Sequence, residues 1–361
     1  MIELEFPNST KQGDSIQTLL GLVNHFSPTG NEEAAVKWLV QRMNTIGYTK
    51  SYVDDVGNAI GIMGQGTRQI ILLGHIDTVK GEIPVEISGD ILYGRGTADA
   101  KASLAVFVEA VRNIGVKKGW EIIVIGAIDE EGDSKGARSL VSNYSPEFAV
   151  GGEPNNWDRI AIGYKGISKV TISTMKSLTH TARASPSTCE TAIQLWNVIL
   201  GFTNEYNLTQ AKAFNQLQPS LLKWDSGDDG FTEWANLYIS TRIPPNFSPE
   251  QWVQTLVDLL PNAKIKPIGY AVKAFVSDKN NLLVRSFLHG IRNQNGTPKF
   301  VFKTGTSDIN TVAPYWKCPA IVYGPGDSAL DHTPEEAVSV SEYLKSIQVF
   351  EDSINYLCDN S

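Results

Sequence analysis

Cysteine is scarce: Cys189, Cys318 and Cys358 are the only three in 361 residues, and they lie far apart with no CxxC pair. That spacing argues against a disulfide framework or a zinc knuckle and predicts reduced, intracellular thiols. No apolar run approaches the roughly 18 residues of a membrane helix. The N-terminal MIELEFPNST has acids and a proline where a signal peptide needs basic and then apolar residues. A cytoplasmic chain with no membrane partner is expected. Positive charge is also in deficit. The 31 Lys and Arg against 39 Asp and Glu leave a net charge of −8, which argues against nucleic-acid binding. Neither a GxxxxGKS/T phosphate loop nor a GxSxG nucleophile elbow occurs. The GxG fragments at Gly94–Gly96 and Gly64–Gly66 lack the third glycine of a dinucleotide loop.

What is present is a globular composition, with 42% hydrophobic and 19% charged residues, at a length that suggests two domains. Apolar runs of buried-strand type occur at 69–76 (QIILLGHI), 121–128 (EIIVIGAI) and 320–323 (AIVY). Helical periodicity follows Thr29-Gly30-Asn31 through Val36, Leu39, Val40 and Met43, and recurs over 100–114 and 334–357. Strands alternating with helices predict an α/β domain with a mostly parallel central sheet. From Ile167 the pattern changes to KVTISTM, apolar and polar by turns, as in a strand with one solvated face. Helices over 191–202 and 249–260, with strands over 236–243 and 271–276, complete an inserted α+β domain. The expected division is 1–163 and 275–361 for the first domain and 164–274 for the insert.

Acids and histidines gather where strands end. His75 and Asp77 follow IILLG; Asp129, Glu130 and Glu131 follow IIVIGAI; Glu153 follows FAVGG; His332 lies beyond AIVYGPG. The carboxyl ends of strands in open α/β sheets are where ligands bind. Asp99 precedes a helix on the loop YGRGTADAK and could by itself be an ordinary helix cap. Taken together, two histidines and several carboxylates without cysteine are the donor set for one or two Zn²⁺, Co²⁺ or Mn²⁺ ions. His25 and His289 sit in helical stretches without acidic partners and read as structural.

The segments GHIDTV (74–79), GRGTADAK (94–101), DEEGDSKGA (129–137), GGEP (151–154) and DHTPEE (331–336) resemble, in order, the motifs of the dinuclear zinc aminoacylase and carboxypeptidase family, M20. The resemblance implies a zinc-peptidase-like catalytic domain with an inserted lid and dimerisation domain. It implies two divalent ions per subunit, Zn²⁺ with Co²⁺ able to substitute. His75, Asp99 and Glu153 would hold one ion and Asp99, Glu131 and His332 the other. Asp77 would orient the first histidine and Glu130 would act as general base in the cleavage of a linear amide. A Glu at 153 resembles the deacylase and carboxypeptidase branch. His180 matches the family's lid histidine, although the usual preceding glycine is absent; in the family this residue enters the partner subunit's site, so a homodimer is implied. Arg242 in STRIPP resembles the arginine that grips a substrate carboxylate. Gly305 and Thr306 in KTGTSDIN resemble the substrate loop, and Lys165 in GYKG could also meet a carboxylate. GYKG, KTGTSDIN and GPGDSALDHTPEE look most like the branch that releases lysine or ornithine from the γ-carboxyl of the C-terminal glutamate of a small acidic amino-group carrier protein. The alternatives within the same chemistry are a small-molecule deacylase, acting on acetylornithine, N-acetyl-lysine or succinyl-diaminopimelate, and a dipeptidase or carboxypeptidase.

Overall fold

The computed structural model describes residues 11–180 and 185–361. They form two compact units: the first comprises the chain up to Ile162, Ser277–Val301 and Ser307–Ser361, and the second Gly163–Val276 and Phe302–Thr306. The short piece 302–306, expected in the first domain, groups with the second. Its hydrogen bonds explain this: Lys165 N donates to Lys303 O at 3.2 Å, and the Thr306 hydroxyl donates to Lys165 O at 3.2 Å.

The first unit is built on a mixed sheet. Its strands lie in the order Lys50–Val53, Ala59–Gly64, Trp120–Ala127, Arg68–His75, Phe148–Gly152, Ala320–Val322 and Arg159–Tyr164. Strands Trp120–Ala127, Arg68–His75, Phe148–Gly152 and Ala320–Val322 pair in parallel, and antiparallel strands flank them. Covered on both faces, a parallel strand has no solvated side, which is why Ile70, Ile71, Leu72 and Leu73 form an unbroken apolar run with every side chain buried. Helix Lys101–Ile114 packs on this sheet. Its Phe107 meets Phe350 of helix Val340–Asp359, which in turn meets Phe287 of helix Leu282–Asn293. Because the central strands are parallel, His75, Ala127, Gly152 and Val322 all end at one sheet edge.

The last helix begins at Val340 rather than near Pro334. Residues Ala337–Ser339 instead form a strand against Ile91–Tyr93, and the Ser339 side chain caps the helix by accepting from Glu342 N.

The second unit carries a four-stranded antiparallel sheet in the order Gln218–Asp228, Thr232–Ile243, Gly166–Ser177, Lys264–Val272. Helices Thr188–Leu208 and Pro249–Leu259 cover one face, burying Val170, Ile172, Leu237, Ile239, Ile199 and Trp252. Two strands differ from expectation. The edge strand Gln218–Asp228 shows no clean alternation, because it is exposed along much of its length and bulges at Leu221/Lys223. The other edge strand runs over Lys264–Val272 rather than 271–276. It contains Pro267, which an edge strand tolerates.

Candidate functional site

Each expected ligand of the first unit sits one short step beyond an ordered element. His75 is the last residue of its strand, Glu153 follows Gly152, and Glu130 and Glu131 lie on the turn after Ala127. Asp129 enters that turn with φ 64°, and His332 holds φ 62° in the loop after Val322. Asp99 stands two residues before helix Lys101–Ile114.

These segments converge. His75 Nε2 lies 3.1 Å from Asp99 Oδ1, while His332 Nε2 lies 3.0 Å from Asp99 Oδ2 and 2.8 Å from Glu131 Oε1. Donor atoms of His75, Asp99 and Glu153 all fall within 4.8 Å of one another, as do those of Asp99, Glu131 and His332. Asp99 belongs to both groups and turns one oxygen to each histidine. His75 Nδ1–H donates to the Asp77 carbonyl oxygen at 2.9 Å. In the neutral ring that a metal ion would require, that bond fixes the tautomer and leaves the Nε2 lone pair for the ion; without one, Nε2–H donates to Asp99.

The electrostatics are those of a site short of positive charge. Burial pushes the Glu130 carboxyl well above its ordinary range, and the neighbouring Glu153, Asp308 and Glu131 add to the shift. Burial does the same to Glu153, with Asp99, Asp331 and Asp308 adding repulsion. Burial opposes ionisation of Asp99 too, yet hydrogen bonds from His332 and His75 hold it well below the usual carboxylate range. The bonds to Asp99 and Glu131 raise the His332 imidazole to about 10. A proton on His332 thus sits among carboxylates that a divalent cation would satisfy. Imidazole and carboxylate donors without cysteine suit Zn²⁺, Co²⁺ or Mn²⁺.

Asp77 differs from expectation in detail. Its carboxylate oxygen stands 3.6 Å from His75 Nδ1, too far for a good hydrogen bond. It accepts instead from Glu130 N at 3.0 Å, Glu131 N at 3.1 Å and the Thr29 hydroxyl at 2.8 Å. The residue holds His75 through its backbone and the Glu130–Glu131 turn through its side chain.

Two buried acids at this centre escaped the sequence reading, although both lie in segments already singled out. Asp308, in KTGTSDIN, is 4% exposed, and among the described residues neither carboxylate oxygen has a hydrogen-bond partner. Burial raises it to about 7. Glu336, in DHTPEE, is 1% exposed and accepts from the backbone N–H groups of Gly96, Ala98 and Asp99 at 2.9, 3.0 and 3.0 Å, and from Arg95 Nη1 at 2.7 Å. His25 and His289 lie elsewhere. His25 packs on Trp38 and bonds Gly21 O, and His289 packs on Tyr356.

The expected substrate residues belong to the second unit. Arg242 Nη1 donates to the Thr306 hydroxyl at 2.6 Å, and a Cβ added at the adjacent Gly305 would meet open space. Lys165 is fully buried, and its ammonium donates to Ala213 O, Gln216 O and Gln218 Oε1. These bonds brace the segment 213–218. His180 is exposed at the end of the segment after strand Gly166–Ser177; residues 181–184, which follow it, lie outside those described.

A sequence profile of the peptidase family M20/M25/M40 matches residues 71–356, a span that takes in all the residues converging on Asp99. The LysW-lysine hydrolase of Deinococcus radiodurans is 36% identical over 340 residues, covering 92% of this chain and 93% of that protein. The LysW-lysine/LysW-ornithine hydrolase of Saccharolobus solfataricus is 28% identical over 339 residues, covering 92% and 93%. In fold, the chain is similar to an M20 family metallo-carboxypeptidase from Sulfolobus solfataricus, with a TM-score of 0.78 at 15% identity over 96% of this chain and 99% of that one. A parallel-sheet edge carrying two imidazole–carboxylate groups, a matching profile and relatives aligned along almost their whole length agree: the chain is an amide-bond hydrolase and belongs to the peptidase family M20/M25/M40.

Proposed function

We propose that this hydrolase releases lysine or ornithine from the γ-carboxyl of the C-terminal glutamate of an amino-group carrier protein, as a cytoplasmic homodimer with two divalent ions per subunit. The observation that carries the substrate assignment is the near full-length match to two LysW hydrolases. His75, Asp99 and Glu153 would hold one ion, and Asp99, Glu131 and His332 the other, Zn²⁺ being the best fit to the donors. When bound, the ions polarise the scissile carbonyl and acidify the attacking water.

The chain's own groups do the rest. Glu130 accepts the proton of that water and delivers it to the nitrogen of the departing amine. Its buried, acid-crowded position raises its proton affinity toward the value such a shuttle needs. Asp77 fixes the backbone from which Glu130 projects. Arg242 offers a bidentate guanidinium to the substrate carboxylate, and Gly305 and Thr306 shape the loop beside it. His180 donates to the developing oxyanion from the partner subunit.

Charge supports a protein-borne substrate. Among the described residues, the helices of the second unit cover one face of its sheet. Register puts Lys169, Lys223, Lys264, Lys266 and Arg242 on the other face, with Asp225 the one acid at those strand positions. On a chain of net charge −8 this is a local excess of base suited to an acidic carrier. Exposed Met175, Leu208, Leu222 and Phe231 of the same unit supply apolar surface for a subunit contact. Among the described residues no helix is long and apolar enough to cross a membrane.

The test compares amine release by Zn²⁺- or Co²⁺-loaded enzyme from carrier-linked γ-glutamyl-lysine, carrier-linked γ-glutamyl-ornithine and free N-acetylornithine. Rapid release from the carrier alone is expected. Rapid cleavage of N-acetylornithine with an inert carrier would overturn the substrate and make the enzyme a small-molecule deacylase.

A further inference from the structure

We propose that Glu336 is a positioning residue of the metal centre: one buried carboxylate fixes the loop that presents Asp99 to the segment that presents His332. The inference rests on the metal-holding roles proposed above for those two residues.

Residues 94–99 form an irregular loop whose backbone N–H groups have few partners of their own. Three of them, from Gly96, Ala98 and Asp99, converge on the single oxygen Glu336 Oε1. Convergence of three donors on one atom calls for an anion, and a backbone carbonyl could not replace it. The other oxygen takes Arg95 Nη1, and the same guanidinium reaches Gly81 O through Nε and Thr333 O through Nη1. Thr333 is the residue after His332. A further backbone bond runs from Gly94 N to Glu336 O at 3.3 Å, and the strand pairing Ala337↔Tyr93 continues the contact outward. Glu336 therefore ties together, within a few residues, two segments far apart in sequence. Each contributes a donor to the group Asp99–Glu131–His332, whereas only Asp99 of the group His75–Asp99–Glu153 depends on this tie.

Loss of the carboxylate should thus weaken the ion held by His332 more than the ion held by His75 and Glu153. Glu336→Gln is the chosen variant, since it preserves side-chain length and one acceptor oxygen while losing the charge and the Arg95 pair. Glu109→Gln serves as the control. Glu109 is another fully buried carboxylate of the same unit, engaged by Thr18, Arg42 and Arg112 and not part of either donor group.

The full chain, stripped of metal, is titrated with Zn²⁺ alone against a chromophoric chelator, with unfolding midpoints measured in parallel. Wild type is expected to bind two ions. Glu336→Gln is expected to lose about 10–100-fold in affinity for one ion with a smaller change for the other. Glu109→Gln should keep both affinities even where its unfolding midpoint falls as far. Wild-type affinities for both ions in folded Glu336→Gln, or parallel losses in Glu109→Gln, would overturn the positioning role while leaving the metal centre standing. Failure of wild type to bind any ion would instead overturn the metal centre, and this inference with it. Should Glu336→Gln not fold, Glu336→Asp, which keeps the charge but falls one methylene short, is read by the same criteria.

Discussion

The carboxylate of Asp77 accepts the backbone N–H of Glu130 at 3.0 Å, joining the strand end that carries His75 to the turn that carries the proposed base. Replacing it with Asn leaves an amide oxygen that can accept at most the two bonds now made to Oδ2, from Glu131 N and the Thr29 hydroxyl, loses the bond from Glu130 N, and carries no charge. Asp77→Asn should stay folded and lose about 10–100-fold in metal affinity or turnover. Metal content and amine release on the same preparation check this, and a wild-type value for both would remove Asp77 from the machinery.

Glu130→Gln separates binding from chemistry. The side chain keeps its size but can no longer take a proton, so turnover should fall by about 10²–10⁴-fold while bound metal stays at the wild-type level. Turnover retained with metal bound would show that another group carries the proton.

Charge reversal on the lysine-bearing sheet face, Lys264→Glu with Lys266→Glu, should raise KM for a carrier-linked substrate by about 10-fold at low salt and by less as salt rises. The KM for N-acetylornithine should not change. Equal effects on both substrates would argue that these lysines act on folding or on the catalytic groups instead.

Stability in the first unit leans on Glu109, whose buried carboxylate accepts from Thr18, from Arg42 Nη2 at 3.1 Å and from Arg112 Nη1 at 3.1 Å. Glu109→Ala removes the buried carboxylate and leaves Asp14, among the described residues, as the one remaining acid on Arg42 and Arg112, and should cost about 3 kcal/mol, measured by urea unfolding. Zn²⁺ affinity of the surviving folded protein should be unaltered.

Lys165 gives the second unit a pH signature. Burial, with the nearby Arg242 charge, lowers its ammonium from 10.5 to about 8. Between those values the unfolded chain holds the proton and the folded chain does not, so this group's contribution to stability rises with pH across that window. Lys165→Met should flatten the rise, as compared in urea midpoints on either side of pH 8.

Much of the first unit was legible because its chemistry follows its strands. IILLG and IIVIGAI read as buried strands, and the acids and imidazoles after them had one edge at which to meet. Asp99, His75 and His332 duly converge there. What escaped was carried by geometry that a residue string does not encode. Asp308 and Glu336 sit among other polar residues in segments already noted, and only burial and the direction of backbone N–H groups set them apart. The bonds from Lys165 to residues 213–218 were also not legible, because the fold of that segment is not written in its sequence pattern. The edge strands failed for a related reason: with one side unpaired, Gln218–Asp228 and Lys264–Val272 tolerate bulges and a proline that erase the period of two.

The first unit is closed by the last stretch of the chain, Ser307–Ser361. During synthesis, His75, Asp99 and Glu153 leave the ribosome long before His332 and Glu336. The second donor group, and the clamp on the Asp99 loop that serves both groups, wait for the C-terminal segment. An enzyme truncated before His332 by premature termination would lack a member of the second donor group.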